Sequence, residues 1–243
     1  MMKTLIMTEF YKLRRTRIGL ITTALTLFAL LQGWQFAKLD RAREAEDLFR
    51  AFLYQGSMAV YSWLIFPLII TIVLAMMARM EHSQNGWKQL FALPVERVVV
   101  YSAKLIVGMT VITFSLILLY AGLIAAGHLL AIENIPYLWM MKRFLVLFLA
   151  SLAIIGTLFY LSFQFAHVAV PMAVGAGLAF PSMLVANSEK YWIFYPWDYP
   201  IVASMNYVFD MGGKNLHMLG VSVLIFCVFV FIGFSSFCRK DIL

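Results

Sequence analysis

The sequence predicts an all-α protein that crosses a membrane several times, and two observations carry this prediction. The 243 residues are 63% hydrophobic and only 13% charged, a composition that leaves no room for a separate soluble domain. The 44 residues from Phe144 to Asn187 contain no Asp, Glu, Lys or Arg. Because a membrane-spanning helix needs roughly 20 apolar residues, this run is long enough for two helices joined by a tight turn. We therefore expect residues 1–243 to form a single transmembrane domain.

Six apolar segments have the length of a membrane-spanning helix. They lie at residues 18–37, 56–78, 105–131, 144–166, 168–187 and 216–237. Six crossings place both chain ends on the same side of the membrane. If both ends are cytoplasmic, the inner segments carry eleven Lys and Arg residues and the outer segments carry eight. Basic residues favour the cytoplasmic side, and Arg14, Arg15 and Arg17 directly precede the first crossing. We therefore predict an N-in, C-in topology.

The segment before the first crossing predicts a helix that lies on the membrane surface. Within residues 2–16, apolar side chains recur at helical spacing, and basic residues occupy much of the rest. The apolar residues are Met2, Leu5, Ile6, Phe10 and Leu13, and the basic residues are Lys3, Lys12, Arg14 and Arg15. This pattern is typical of an interfacial amphipathic helix. Such a helix can anchor the topology or bind a partner, and the sequence leaves both roles open.

The longest predicted cytoplasmic loop, residues 79–104, contains an apolar cluster. Ser83 or Asn85 can cap a short helix, which Pro94 would end. The apolar face of that helix would consist of Trp87, Leu90 and Phe91. An apolar face on a cytoplasmic loop has to be buried in lipid headgroups or against a partner protein. Composition alone does not choose between these two environments.

The order of charged and helix-breaking residues closely resembles the permease subunits of type-2 ABC exporters. In that family a Glu and a following Lys open the chain, as Glu9 and Lys12 do here. A Glu, a small residue, a Leu-rich stretch, a Pro, an Arg and a later Lys then mark the loop between helices two and three. The matching residues here are Glu81, Gly86, Pro94, Arg97 and Lys104. The six-crossing layout agrees with the family along the whole chain.

This resemblance implies that the loop holds a coupling helix seated in a groove of a separate ABC ATPase subunit. The implied coupling residues are Glu81, Asn85, Gly86, Trp87, Leu90, Phe91, Pro94 and Arg97. The implied complex contains two ATPase subunits and two permease subunits, identical or different, in a bacterial cytoplasmic membrane. The chain has no phosphate-binding loop, so we expect ATP and Mg to bind the ATPase while this chain binds no cofactor or metal and catalyses no reaction. Closure of the ATPases would change the packing of the permeases and export an amphipathic substrate.

The third segment of interest is the predicted outer segment, residues 188–215, which is rich in aromatic residues. An interfacial aromatic belt explains this composition, and a re-entrant element or a vestibule for an amphipathic peptide explains it as well. Tyr195, Trp197 and Asp198 are the candidate residues, with an exposed Asp198 carboxylate attracting a cationic peptide. The small size of the chain, its short outer loops and residues 195–200 resemble the peptide-antibiotic immunity branch (lantibiotic and bacitracin type). That resemblance implies an antimicrobial peptide as the substrate, while a lipid-like molecule or another amphipathic compound also suits an apolar bundle with an aromatic outer rim.

Two other functions compete with this interpretation. An intramembrane enzyme would need clustered acids, histidines or a nucleophile–base pair at membrane depth. The candidates His128, His167 and His217 do not lie in a motif with catalytic spacing. An ion-coupled secondary transporter would need a buried acid or interrupted helices, and all twelve acids fall in predicted loops or flanks.

Two further features of the composition receive simple explanations. The net charge of +7 lies mainly on the predicted cytoplasmic side, where anionic membrane lipid attracts basic residues. Nucleic-acid binding does not explain the charge, because the chain has no compact basic domain. Cys227 and Cys238 both lie in the last apolar segment, where we expect buried thiols rather than a disulfide or a metal site.

Overall fold

The computed structural model describes residues 2–40, 48–82, 96–188, 190–205 and 215–239. In these ranges the chain forms helices and turns, without a β-strand. The α-helices are α1 (Met2–Arg14), α2 (Ile18–Asp40), α3 (Gln55–His82), α4 (Arg97–Leu129), α5 (Tyr137–Gln164), α6 (Ala169–Ala179), α7 (Ser182–Ala186), α8 (Tyr199–Met205) and α9 (Asn215–Arg239). A short 3₁₀ helix, Trp192–Phe194, lies between α7 and α8. The predicted all-α class is confirmed for the residues that the structure describes.

Helix α3 is not a regular α-helix along its whole length. A π-helical stretch, Phe49–Tyr54, precedes it, and a second one, Tyr61–Ile65, interrupts it. Pro67 follows this second stretch. Because proline has no amide N–H, it cannot donate the regular hydrogen bond to the carbonyl of Trp63, and a wider turn accommodates the defect. The interruption therefore has a local cause in the sequence.

Among the described residues, five helices have the length and apolar composition to cross a membrane: α2, α3, α4, α5 and α9. The segment at 168–187, which we expected to be one spanning helix, is instead divided into α6 and α7 at Phe180 and Pro181. With 11 residues, α6 is about 17 Å long, shorter than the roughly 30 Å hydrocarbon core of a bilayer. Pro181 explains the break, because a proline cannot continue the hydrogen-bonding pattern of α6. The predicted tight turn before α6 is confirmed, since α5 ends at Gln164 and α6 begins at Ala169.

The long helices run in two opposite directions between the two ends of the bundle: α2 and α4 run one way, and α3, α5 and α9 run the other way. At one end, which we call the α1 end, Arg97 donates a hydrogen bond to the carbonyl of Cys238 and Ser236 donates one to Gln164. At the opposite end, which we call the far end, the Tyr54 hydroxyl donates to the carbonyl of Ser204. The chain returns from the α1 end to the far end through α6, α7 and α8 in succession.

The centre of the bundle consists of α3 and α5, and α9 covers α5 on one side. Much of α9 remains exposed, including Leu224 and Phe231, as expected of a helix that faces lipid. Cys227 lies on this exposed part and Cys238 is half-buried, and both are free thiols. The expectation that both thiols are buried is therefore wrong, because α9 contacts the bundle along one face only.

Candidate functional site

The register of α1 places a carboxylate in the middle of its packed face. Glu9 and Leu13 are buried against α4, whereas Phe10, which the sequence pattern places on the apolar face, is 38% exposed. The buried face follows Leu5, Glu9 and Leu13, spaced four residues apart. A buried carboxylate requires a cationic partner or a set of hydrogen-bond donors. The structure supplies cations from α1 itself and from α4.

Two acids and two lysines from three helices meet at the α1 end, and we call this group the four-residue network. Its members are Glu9 and Lys12 from α1, Glu81 from α3 and Lys104 from α4. The ammonium of Lys12 lies 2.9 Å from Glu9 Oε1 and 2.7 Å from Glu81 Oε1. The ammonium of Lys104 lies 2.9 Å from Glu9 Oε1 and 2.8 Å from Glu81 Oε1. Each cation thus contacts both anions, and the formal charge of the network is zero.

The network is mostly hidden from solvent. Glu9, Glu81 and Lys104 are 4%, 2% and 1% exposed, whereas the Lys12 side chain is 33% exposed. Burial acts to lower the pKa of Lys12, but the carboxylates of Glu81 and Glu9 outweigh burial and raise this pKa above its ordinary value. Removal of a buried member of such a network is costly, because it leaves a desolvated charge without a partner of opposite charge. The network therefore holds α1, α3 and α4 together as a unit that a single substitution can disrupt.

Glu81 and Lys104 of the network belong to the predicted loop at residues 79–104, whose two ends are helical because α3 extends to His82 and α4 begins at Arg97. Glu81 precedes the last residue of α3, and Arg97 is the first residue of α4. The predicted coupling residues Asn85, Gly86, Trp87, Leu90, Phe91 and Pro94 lie outside the described residues. On the α4 side, the Arg97 guanidinium donates to the carbonyl of Cys238 near the end of α9, where the negative end of the helix dipole favours a cation. Both ends of the loop are thus attached to other helices of the bundle.

The predicted outer segment folds back onto the bundle. The indole Nε1 of Trp197 donates to the carbonyl of Gly175 at 3.1 Å, and the hydroxyl of Tyr195 donates to the carbonyl of Leu178 at 2.7 Å. Both acceptors belong to α6, whose Gly175 packs so closely on Thr71 of α3 that an added Cβ would collide with it. Thr71 lies ten residues before Glu81, or about 15 Å along the helix axis. Trp197 is 4% exposed, so in this conformation it packs inside the protein.

Asp198 is the unusual residue of this segment. Its side chain is fully buried, and neither carboxylate oxygen has a hydrogen-bond partner among the residues that the structure describes. Burial raises the pKa of Asp198 from its ordinary value of 3.8 to about 8. The expected exposed carboxylate at an exit is therefore not present in this conformation, because the fold-back of residues 192–205 covers Asp198. A neutral carboxylic acid is the form that such a site stabilises at neutral pH.

The structure also removes one argument against an ion-coupled secondary transporter. The sequence places all acids in loops or flanks, yet Glu9, Glu81 and Asp198 are buried. The absence of buried acids therefore no longer argues against an ion-coupled transporter. The enzyme alternative gains nothing, because His128, His167 and His217 are exposed and lie on different elements. Across the described ranges, no group of three or more His, Cys, Asp or Glu residues is arranged to hold a metal ion.

Comparison with known proteins identifies the family. No curated protein matches the chain. A family model described as "ABC-2 family transporter protein" matches residues 5–182, a range that includes all four residues of the network and the whole predicted coupling loop. This range spans 178 of the 243 residues. Together with five helices that can cross a membrane, the match shows that the chain belongs to the ABC-2 transporter family of multi-pass membrane proteins.

Proposed function

We propose that this chain is the permease subunit of an ATP-driven ABC exporter in a bacterial cytoplasmic membrane. The observation that carries the proposal is the four-residue network at the base of the predicted coupling loop. A permease without its own ATP site has to receive force from its partner ATPase through a short cytoplasmic contact. In an N-in, C-in arrangement, in which α6, α7 and α8 together make the sixth crossing, the loop between α3 and α4 makes that contact.

The attachment of the loop explains how a movement there would reach the bundle. At one end, Glu81 binds Lys12 of α1 and Lys104 of α4. At the other end, Arg97 binds the carbonyl of Cys238. A displacement of the loop by the ATPase would therefore move α1, α3, α4 and the end of α9 together. Such a joint transmits a conformational change because its members are packed and ion-paired rather than connected by flexible chain.

The functional complex consists of two such permeases, identical or closely related, and two ATPase subunits that bind ATP and Mg. The substrate is amphipathic, and an antimicrobial peptide of the immunity branch is the leading candidate. The segment at 192–205 supports this assignment, because Tyr195 and Trp197 contact α6 through hydrogen bonds to backbone carbonyls, which an outward movement of the segment can break. In an outward-open state, Asp198 would face a cationic peptide.

Copurification tests the proposal. We expect the full-length chain, purified in mild detergent from its native host, to carry an ATPase that contains a phosphate-binding loop. The combined substitution Trp87→Ala and Phe91→Ala should remove this ATPase, because truncation of an aromatic anchor often costs about 2 kcal/mol or more. A matched control is Tyr191→Ala with Phe194→Ala, since both residues are aromatic, exposed and outside the loop. Equal ATPase recovery with all three proteins would contradict the coupling assignment.

A further inference from the structure

We propose that the groove between α1, α2 and α4 is a binding site for one anionic phospholipid of the cytoplasmic leaflet. The proposal depends on the cytoplasmic placement of α1 in the proposed function, and on no other part of that function. The site consists of two adjoining cavities, one apolar and one basic, that share the residue Arg14. A phospholipid has the same division between an apolar chain and an anionic headgroup.

The apolar cavity is a groove of about 490 Å³ on the surface of the bundle. This volume falls within the roughly 300–1,000 Å³ of ordinary ligand sites. Its walls are Phe10 and Leu13 of α1, Ile18 and Leu20 of α2, and Val111 and Phe114 of α4. Phe10, Leu20 and Phe114 are 38%, 68% and 49% exposed. Since α2 and α4 can both span a membrane, an acyl chain is the apolar ligand that reaches these walls.

The basic cavity has a volume of about 520 Å³, lies beside α1 and shares Arg14 with the groove. The described residues that line it are Thr8, Tyr11, Lys12, Arg14 and Arg15. The ammonium of Lys12 is already bound to Glu9 and Glu81. The guanidinium groups of Arg14 and Arg15 are exposed, so they are the cations that can bind a phosphate. The planar guanidinium of arginine matches the oxygens of a phosphate group in geometry and charge.

Glycine at position 19 keeps the groove open. Gly19 lines the apolar cavity, and a Cβ added at Gly19 would meet no atom within 4 Å. A leucine at this position would therefore enter the groove without disturbing the packing of α2. Gly220 of α9 offers a matched control, because a Cβ there also meets no atom within 4 Å and Gly220 lies on a different helix. Both substitutions replace a helical glycine with leucine and give the helix the same gain in propensity.

Photo-crosslinking of lipid to the full-length chain tests the site. The chain is reconstituted into phosphatidylcholine vesicles that contain a small fraction of photoactivatable phosphatidylglycerol, and the crosslinked peptides are identified by mass spectrometry. We expect crosslinks to α1, the first turns of α2 and the facing part of α4. Gly19→Leu should abolish them, whereas Gly220→Leu should leave them unchanged. Arg14→Gln should weaken them about fivefold, because one basic residue near an anionic lipid surface contributes about 1 kcal/mol.

Three outcomes would overturn the lipid site. They are crosslinking of Gly19→Leu at the wild-type level, equal crosslinking by a photoactivatable phosphatidylcholine, and occupation of the groove by a second copy of this chain instead of lipid. None of these readouts requires an ATPase or transport, so the lipid site and the exporter function can fail separately. The side of the membrane is determined with an impermeant maleimide on Lys3→Cys in a Cys227→Ser, Cys238→Ser background. Labelling from outside the cell would contradict the cytoplasmic leaflet and the proposed topology together.

Discussion

The α1 end and the outer segment both bury acidic side chains, and they stabilise them in different ways. At the α1 end, two carboxylates are balanced by two ammonium groups within 2.9 Å. In the outer segment, the buried Asp198 has no hydrogen-bond partner among the described residues, and a raised pKa keeps it neutral. The first arrangement fixes three helices to one another through ion pairs. The second is stable only while the carboxyl keeps its proton, so residues 192–205 are the region that a change in pH or a ligand can release.

The largest loss of stability is expected when Lys104, the most buried cation of the four-residue network, is replaced. Lys104→Met leaves Glu9 and Glu81 with the half-exposed Lys12 as their shared partner, and breaking a buried ion pair typically costs about 3–5 kcal/mol. Thermal unfolding in detergent measures this loss. The double variant Glu81→Gln with Lys104→Met removes one charge of each sign, leaves Glu9 paired with Lys12, and should recover most of the stability. An unfolding midpoint of Lys104→Met equal to that of the wild type would show that the network does not hold the helices together.

The second largest effect on stability is expected when a rise in pH ionises Asp198. The folded-state pKa of about 8 lies above the ordinary value of 3.8, so the folded protein binds the proton more tightly than the unfolded chain. The contribution of Asp198 to stability should therefore be largest at about pH 4 and below, decline as the pH rises to about 8 and change little above that. The neighbouring hydroxyls do not interfere, because burial and the charge of Asp198 raise the pKa values of Tyr195 and Tyr199.

Asp198→Asn should remove that pH dependence. The amide is close in shape to the neutral carboxyl and carries no charge at any pH. Unfolding midpoints of wild type and variant, measured from pH 4 to pH 9 (roughly the interval over which the linkage acts), should converge at the acidic end. The variant should be the more stable protein at the alkaline end. Parallel curves for the two proteins would mean that Asp198 is ionised or solvated in the folded state.

A moderate effect is expected at Trp197. For a membrane-surface aromatic belt, Trp197→Phe would be nearly silent. The structure instead buries the indole and bonds its Nε1 to the carbonyl of Gly175, so loss of the donor should cost about 1–3 kcal/mol. Phe194→Ala serves as the control, because Phe194 is 80% exposed. Hydrogen exchange of residues 190–205 should increase in Trp197→Phe and remain at the wild-type rate in Phe194→Ala. The opposite result would indicate that the segment is an aromatic belt at the membrane surface.

The smallest effect is expected at the exposed edge of the network. Lys12→Gln removes the cation whose side chain is 33% exposed, and water can replace it beside Glu9 and Glu81. Partly exposed ion pairs contribute about 0–1 kcal/mol, so the unfolding midpoint should fall much less than in Lys104→Met. If the two substitutions were equally damaging, burial would not be what separates the roles of the two lysines.

The sequence predicted the long helices but not the contacts between them. Apolar composition controls which segments can enter lipid, and this is why the tight turn after Gln164 and the five long helices follow from it. The order of charged residues in the chain identifies Glu9, Glu81 and Lys104 as residues of interest. The sequence does not show that their side chains meet, because that depends on the packing of α1 against α4 and α3. The same packing determines the register of α1, which buries Glu9 and exposes Phe10.

The outer segment shows a second limit of sequence reasoning. Pro181 is a sequence feature that predicts the break between α6 and α7 and argues against a single helix at 168–187. The burial of Trp197 and Asp198 has no such local signal. It depends on backbone carbonyls of α6 that accept hydrogen bonds from residues about twenty positions further along the chain. Aromatic composition is the same for an interfacial belt and for a segment folded into the bundle.

The most direct test of the central claim is the distance between α1 and α4 during the ATPase cycle. Spin labels at Thr8→Cys and Val98→Cys, both exposed positions at the α1 end, report this distance in the purified complex in a Cys227→Ser, Cys238→Ser background. If the four-residue network acts as a rigid joint, the distance should be the same without nucleotide and with ATP trapped on the ATPase. The distribution should broaden when Lys104→Met is added. A wild-type distance that changes with ATP, or one that Lys104→Met leaves unchanged, would contradict the claim that this network carries the force from the ATPase into the bundle.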